Sequence, residues 1–254
     1  MDDTRPAVPP AFPKLRDVPV ERPLVWLKRG WGDLAACPLA SLFYGLCFVG
    51  GGALMVLALG GAPEYIAAVT SGFLIGGPFF AIGLYDISRR RERGEPCRLA
   101  PTLTAWRGNA GNLGLFTAIL LVIFLVWARA SMVVFALFYS GEMPTLAGFL
   151  RHVVSTDHLG FLAAYFTVGG LFALIAFAIS LIAIPLMLDR NHDAITAAIA
   201  SVRALFMNPA PMCVWAGLIA LLGGLGLVTF LAGMLVIGPL LGHATWHAYR
   251  DLVE

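Results

Sequence analysis

Long apolar stretches alternate with short polar segments along most of the chain. Runs of about 18 or more apolar residues are typical of membrane spans, because about 20 helical residues cross the hydrocarbon core. The runs are continuous rather than alternating, which favours helices over a β-barrel. The pattern therefore predicts an all-α polytopic membrane bundle with six spans. We place the spans at roughly 39–60, 65–87, 112–138, 159–188, 212–227 and 228–249.

Residues 212–249 permit two interpretations. They contain almost no polar break, and a single helix of that length would extend about 55 Å, well beyond the roughly 30 Å hydrocarbon core. A tight turn near Gly223, Gly224 and Gly226 would divide the segment into two helices, because glycine adopts turn conformations at low cost. The alternative is one long tilted helix and five spans in all.

Composition and charge support the membrane interpretation. The chain has 254 residues, of which 59% are hydrophobic and 13% charged, whereas a soluble domain carries about 25% charged residues. A net charge of +2 gives no support to a nucleic-acid partner. Lys and Arg concentrate in the N-terminal segment and on alternate connections, so the positive-inside rule predicts cytoplasmic N- and C-termini in a bacterial inner membrane.

The chain divides into a tail and one domain. Residues 1–23 contain six prolines and predict a disordered cytoplasmic tail, followed by a single transmembrane domain over 24–254. No pair of cysteines has CxxC spacing, so all four are predicted to be reduced thiols. These cysteines are Cys37, Cys47, Cys97 and Cys213.

Three amphipathic stretches precede the odd-numbered spans. Their apolar positions have helical spacing, which predicts helices lying flat at the membrane interface. The positions are Leu24, Leu27, Trp31 and Leu34; Leu103, Trp106, Ala110 and Leu113; and Ile195, Ile199, Val202 and Phe206. Together with a proline in each even span they indicate a triplicated two-helix hairpin, although shared membrane composition would produce part of this pattern.

The prolines of the even spans are Pro78, Pro185 and Pro239. Each would free a backbone carbonyl four residues earlier, and in lipid that carbonyl needs another partner. Kinks at these positions either open a shallow cytoplasmic vestibule or serve helix packing. We expect them to serve packing.

Arg129 is the one cation within a predicted span, and a charge in the membrane is a functional candidate by default. Its position near the outer end of the third span favours an anchor that reaches the headgroups, or a partner of Glu142 or Asp157, over a substrate-binding role. Asp189 and Arg190, at the cytoplasmic end of the fourth span, are further candidates for anchoring or function.

His243 and His247 are spaced i, i+4 and share one face of the last span. This geometry is able to ligate a metal or haem groups, but no third ligand is obvious, so they are weak metal candidates. We expect them instead to lie at the interface beside Trp246 and Tyr249 in an aromatic belt. We predict no cofactor.

Three segments carry a family resemblance. They are Ile-Pro-Leu-Met-Leu-Asp-Arg at 184–190, Asn-Pro-Ala-Pro-Met at 208–212 and Gly-Pro-Leu-Leu-Gly-His-Ala-Thr-Trp-His-Ala-Tyr-Arg at 238–250. With them the chain resembles a family of uncharacterised bacterial polytopic inner-membrane proteins with a domain of unknown function. The resemblance implies a multi-pass protein without an assigned activity. Some members are labelled as similar to cytochrome c oxidase subunit I, but five histidines, none deep in a predicted span, are too few for a haem-copper oxidase.

The chain contains no phosphate-binding loop, HExxH or GxSxG motif. We therefore expect a non-enzymatic accessory or scaffold protein that contacts the lipid bilayer and other membrane proteins. The alternatives are a small transporter or channel, and a haem- or metal-binding protein that uses His243 and His247. The sequence leaves the oligomeric state and any substrate open.

Overall fold

The computed structural model describes residues 12–61, 80–138 and 159–254. Over these residues the chain is helical, which confirms the all-α prediction. An isolated antiparallel β-bridge joins Leu15 to Val253. The helices are α1 (Arg22–Ala36), α2 (Pro38–Gly61), α3 (80–92), α4 (Leu99–Thr102), α5 (Ala110–Phe138), α6 (Leu159–Ser180), α7 (Ala183–Arg190), α8 (Ala194–Met207), α9 (Pro209–Val228) and α10 (Met234–Leu252), with a 3-10 turn at Ala105–Asn109.

The chain forms two compact units. The larger comprises Met1–Thr117 and Ala178–Glu254, and the smaller comprises Ala118–Phe177. The described residues of the smaller unit are 118–138, at the end of α5, and 159–177, at the start of α6. The rings of Phe138 and Phe161 in this unit lie 6.0 Å apart.

Three helical stretches in the described part of the chain are long and apolar enough to cross a membrane: Leu99–Phe138, Leu159–Arg190 and Pro209–Val228. A fourth arises if α1 and the first part of α2, which meet at 108°, form one broken span. These stretches contain the predicted spans at 112–138, 159–188 and 212–227 and most of that at 39–60. Most of the span at 65–87 lies outside the described residues.

Residues 212–249 form two helices, which excludes the single long helix. The turn between them occupies 229–233, where Phe230 and Leu231 have φ of 51° and 67°. The turn therefore begins three residues after Gly226, and the predicted turn glycines Gly223, Gly224 and Gly226 lie within α9. Gly226 instead permits close packing, because a Cβ there would come within 2.9 Å of Cγ of Met234.

Helix α10 is the central element of the larger unit and packs against α1 and α2. Its buried side chains include His243, Trp246, His247 and Tyr249. The aromatic belt predicted for these residues is therefore wrong, because Trp246 and Tyr249 are at most 1% exposed. Helix α10 is also absent from the candidate spans found among the described residues.

The short helix α8 turns small or polar residues inward and large apolar residues outward, and α1 also exposes large apolar residues, although it buries Trp26 and Leu34. On α8 the buried positions are Ala194, Ala197, Ala200, Ser201 and Ala204. Ile195 and Phe206, by contrast, are 61% and 76% exposed. An outward apolar stripe of this kind suits a helix lying at a membrane interface. The second predicted stretch, around Trp106, forms α4, a 3-10 turn and the start of α5 rather than one amphipathic helix.

The prolines differ in their structural roles. Pro185 lies in the first turn of α7, directly after a break at 181–182, so it begins a new helix rather than kinking a continuous one. Pro239 lies within α10, and Gly45 of α2 packs against the carbonyl of Leu235 that Pro239 leaves free. Pro78 lies outside the described residues.

The two ends of the described chain pair with one another. The backbone N–H of Arg16 donates to the Leu252 carbonyl at 2.9 Å, and that of Glu254 donates to the Lys14 carbonyl at 3.0 Å. Residues 12–21, which fall within the predicted disordered tail, are thus held against the end of α10. Residues 1–11 lie outside the described residues.

Cys37 and Cys97 are joined by a disulfide, so the prediction that all cysteines are reduced is wrong. Cys37 lies at the corner between α1 and α2, and Cys97 lies in the segment that follows α3. The fold brings their Cα atoms to 5.6 Å, a separation that suits a disulfide. Cys47 and Cys213 are free thiols.

Candidate functional site

His243 of α10 lies between α2 and α3 in the interior of the larger unit. Its Nε2 is 2.9 Å from the Ser41 hydroxyl, and its Nδ1 is 2.8 Å from the Ser88 hydroxyl. All three side chains are fully buried. Both ring nitrogens of His243 therefore have hydrogen-bond partners within the protein.

The direction of these bonds follows from Ser88. Its hydroxyl donates to Oδ2 of Asp33 at 2.5 Å, so it accepts the proton on Nδ1 of His243. Nε2 of His243 then accepts from the Ser41 hydroxyl. A neutral imidazole with its proton on Nδ1 satisfies every one of these groups.

Asp33 is the junction of the network. Its Oδ2 also faces Nε2 of His247 at 2.8 Å, and its Oδ1 accepts from the Arg91 guanidinium. Burial by itself raises the pKa of Asp33, but hydrogen bonds from His247 and Ser88 outweigh it. They lower the pKa of this carboxyl, on a helix that precedes the first predicted span, to about 2. Asp33 is therefore an ionised, buried carboxylate.

These residues form a continuous series of hydrogen bonds that we call the polar chain. Its members, in order, are Ser41, His243, Ser88, Asp33 and His247. The first three are fully buried, whereas the end formed by Asp33 and His247 lines an open cavity of about 450 Å³ at the surface. The polar chain thus connects the interior of the larger unit to one surface.

Asp189 and Arg190 lie together at the end of α7 and contact the C-terminal segment. Oδ2 of Asp189 accepts from the Tyr249 hydroxyl at 2.8 Å. Arg190 donates to the Glu254 carbonyl. Arg250 adds an ion pair 3.2 Å from Glu92. The two sequence candidates therefore hold the end of α10 in place beside the polar chain.

The arginines that follow the second predicted span also make internal contacts. Asp86 is fully buried and pairs with Arg89 at 2.5 Å and Arg90 at 2.7 Å. Arg89 in addition donates to the Leu188 carbonyl at 2.9 Å. Asp86 is thus a second buried carboxylate, and it forms ion pairs with the arginines three and four residues later in its own helix.

Arg129 lies apart from the polar chain, in the smaller unit. It is exposed on α5, on an apolar surface that includes Leu125 and Val133. It has no ion pair among the described residues, and its predicted partners Glu142 and Asp157 lie outside them. Its anchoring role stays a prediction.

His243 and His247, the weak metal candidates of the sequence, form hydrogen bonds with protein side chains. The described residues contain no group of three or more His, Cys, Asp or Glu side chains able to hold a metal ion. Both nitrogens of His243 and Nε2 of His247 face protein partners. A metal at His243 or at Nε2 of His247 would have to displace these bonds, and no observation on the described residues favours the haem- or metal-binding alternative.

Sequence reasoning identified the histidines but missed Asp33, Ser41 and Ser88. A signal for Asp33 was present, because Trp26, Gly30 and Asp33 share one face of α1 at helical spacing. That face is the buried one. The serines gave no signal, because an isolated serine in an apolar segment usually bonds to a carbonyl of its own helix.

Residues 66–189, a little under half of the chain, match a family model described as predicted integral membrane protein (DUF2189). The match confirms the resemblance to a family of uncharacterised membrane proteins. It covers Asp86, Ser88 and Asp189, but not the C-terminal segment at 238–250. No curated protein and no solved structure matches the chain.

Proposed function

Taking this chain as an integral membrane protein with several apolar helices, we propose that it is a non-enzymatic accessory protein of a bacterial inner membrane that binds other membrane proteins and lipid. One observation carries the proposal. In the polar chain each hydroxyl, carboxylate and imidazole contacts another protein side chain. Ser41, whose hydroxyl faces the His243 imidazole, is fully buried together with His243 and Ser88, so a substrate does not reach it and the site suits a rigid structural support better than catalysis.

The proposal includes six spans with both termini in the cytoplasm. The backbone pairing of Lys14 and Arg16 with Glu254 and Leu252 supports a common side for the two ends. An even number of spans follows from that arrangement, and the excess of Lys and Arg on alternate connections favours the cytoplasm.

Exposed apolar side chains supply the surface for lipid or protein partners. Leu46 and Leu57 of α2 are 60% and 69% exposed. In the smaller unit, Leu125 of α5 and Phe166 of α6 are 51% and 65% exposed. Surfaces of this composition are stable against hydrocarbon or against another apolar helix.

Photocrosslinking in native membranes tests the accessory role. A photoreactive amino acid at Leu115 of α5, which is 49% exposed, would report what touches the helix. The matched control is Leu113, two residues away and 2% exposed. We expect a reproducible protein adduct from position 115 and none from position 113, identified by mass spectrometry. Repetition at other exposed apolar positions without any protein adduct would contradict the proposal.

A proton-coupled transporter is the second candidate, and the polar chain favours it. A continuous series of hydroxyl, imidazole and carboxylate groups that reaches a surface is able to pass protons between hydrogen-bonded neighbours. Proteoliposomes with an imposed pH gradient provide the test. Proton flux above that of empty liposomes, lost in Ser88→Ala but kept in Ser131→Ala, would favour transport. Flux equal to that of empty liposomes would exclude it.

A further inference from the structure

The open cavity over the end of the polar chain has the lining of a binding site for an anion. It lies between α1, α3 and α10, and its volume of about 450 Å³ is in the range typical of small-molecule sites. The lining residues are Val25, Lys28, Arg29, Gly32, Asp33, Arg91 and His247. We propose that this cavity binds a phosphate group, on a lipid headgroup or on free phosphate. The inference rests on the cavity and does not require the accessory role.

Positive charge dominates the lining. Lys28, Arg29 and Arg91 are cations, and the one carboxylate, Asp33, is already engaged by Ser88, His247 and Arg91 itself. The Asp33 side chain is only 5% exposed, whereas that of Arg91 is 42% exposed. A ligand entering the cavity therefore meets the cations more readily than the carboxylate.

The two guanidinium groups keep donors for a ligand. Arg29 contacts Asp251 through Nη1 at 3.2 Å, and Asp251 is shared with Arg22 and with Nε1 of Trp26. Arg91 contacts Asp33 through Nη1 alone. A guanidinium carries five N–H donors in a planar fork that matches the geometry of phosphate oxygens.

Lys28 is the best probe of the site. It is exposed, and the described residues give it no ion pair. An ammonium group without a partner at the rim of a cationic cavity is suited to a phosphate oxygen as a point charge. Its removal should leave the fold intact.

The neighbouring surface of α1 places the cavity at headgroup level. Leu24 and Trp31 of the same helix are 59% and 54% exposed. An interfacial helix buries such residues at the boundary of headgroups and acyl chains, so cations beside them lie where lipid phosphates are abundant.

The test uses the full chain in detergent, titrated separately with phosphatidic acid and inorganic phosphate, with binding followed by native mass spectrometry and calorimetry. We expect Lys28→Glu to weaken binding of the ligand about tenfold or more, because a charge-assisted contact is replaced by repulsion. The matched control is Arg98→Glu, a charge reversal at an exposed position outside the lining. Gly32→Met is expected to fill the cavity and reduce binding while it keeps every charge.

The arms separate the two sources of phosphate. Binding of phosphatidic acid without binding of inorganic phosphate identifies a lipid headgroup site, and binding of inorganic phosphate identifies a site for a free phosphate compound. Equal loss in Lys28→Glu and Arg98→Glu, or undiminished binding in Gly32→Met, would overturn the proposal in favour of general charge attraction. Absence of binding in both arms would also overturn it. None of these outcomes depends on whether a protein partner is captured by crosslinking.

Discussion

Gly45 of α2 packs directly against the backbone carbonyl of Leu235 in α10, so closely that a methyl group on Gly45 would overlap the oxygen. This is the carbonyl that Pro239 deprives of its helical N–H donor. A residue without a side chain therefore lets one apolar helix cover the exposed carbonyl of another.

Gly45→Ala is expected to destabilise the protein by about 1–3 kcal/mol, since overpacking forces α2 away from α10. Gly50→Ala in the same helix is the control, because nothing lies within 4 Å of a Cβ there. This control should be unchanged or more stable by up to about 1 kcal/mol, as alanine favours helix over glycine. Thermal unfolding in detergent measures both variants, and equal stability of the two would refute the tight contact.

Ser88→Ala is expected to lower stability by about 1–3 kcal/mol. The substitution removes the hydroxyl between His243 and Asp33 and leaves a buried imidazole N–H without an acceptor. Ser131→Ala provides the same chemical change where the hydroxyl bonds only to the Ala128 carbonyl of its own helix. Unfolding midpoints for the two variants should differ clearly, and a Ser88 variant as stable as the Ser131 variant would show that the polar chain contributes little.

Acid should weaken the fold through Asp33. Its pKa of about 2 lies below the ordinary value for aspartate, so its contribution is fully present above about pH 4 and is lost as the pH falls through about 2. The shift corresponds to roughly 2 kcal/mol. Asp33→Asn should be less stable than the wild type at pH 6, and the gap should narrow between pH 4 and 2. Thermal unfolding across this range measures the gap, and a constant gap would contradict a depressed pKa.

The disulfide predicts a simple labelling result. In denaturant and before reduction, a maleimide should modify only the two free thiols, Cys47 and Cys213. After reduction it should modify Cys37 and Cys97 as well. The double variant Cys37→Ser, Cys97→Ser should lose about 2–4 kcal/mol, since the bridge closes a long loop. Intact mass spectrometry counts the labels, and four labels before reduction would show that the bridge is absent.

The long apolar runs predicted helices where the structure has them, because length and continuity are local properties. Helices α2, α5 and α6 begin within two residues of the predicted starts at 39, 112 and 159. The sequence placed the turn between α9 and α10 too early in the chain, because glycine occurs both in turns and where helices pack closely. The sequence alone does not distinguish a turn glycine from Gly226, which makes room for Met234.

The site could be predicted only in part. The i, i+4 spacing of His243 and His247 identified one polar face of α10. Their partners could not be found locally, because Asp33 is 214 residues from His247 and Ser41 is 202 residues from His243. The disulfide was missed for the same reason, since its cysteines are 60 residues apart. Contacts between residues so far apart in the sequence depend on how the helices assemble, and they produce no periodic pattern in the sequence.

The order of the polar chain along the sequence constrains biosynthesis. Asp33 and Ser41 leave the ribosome some 200 residues before the histidines that satisfy them. Until α10 has been made, Asp33 has Ser88 and Arg91 as partners but lacks His247, and α1 and α2 lack the helix against which they pack, so this unit completes its assembly only after nearly the whole chain has been translated. Synthesis that stalls before residue 243 would therefore yield a product in which α1 and α2 expose the surfaces that α10 covers.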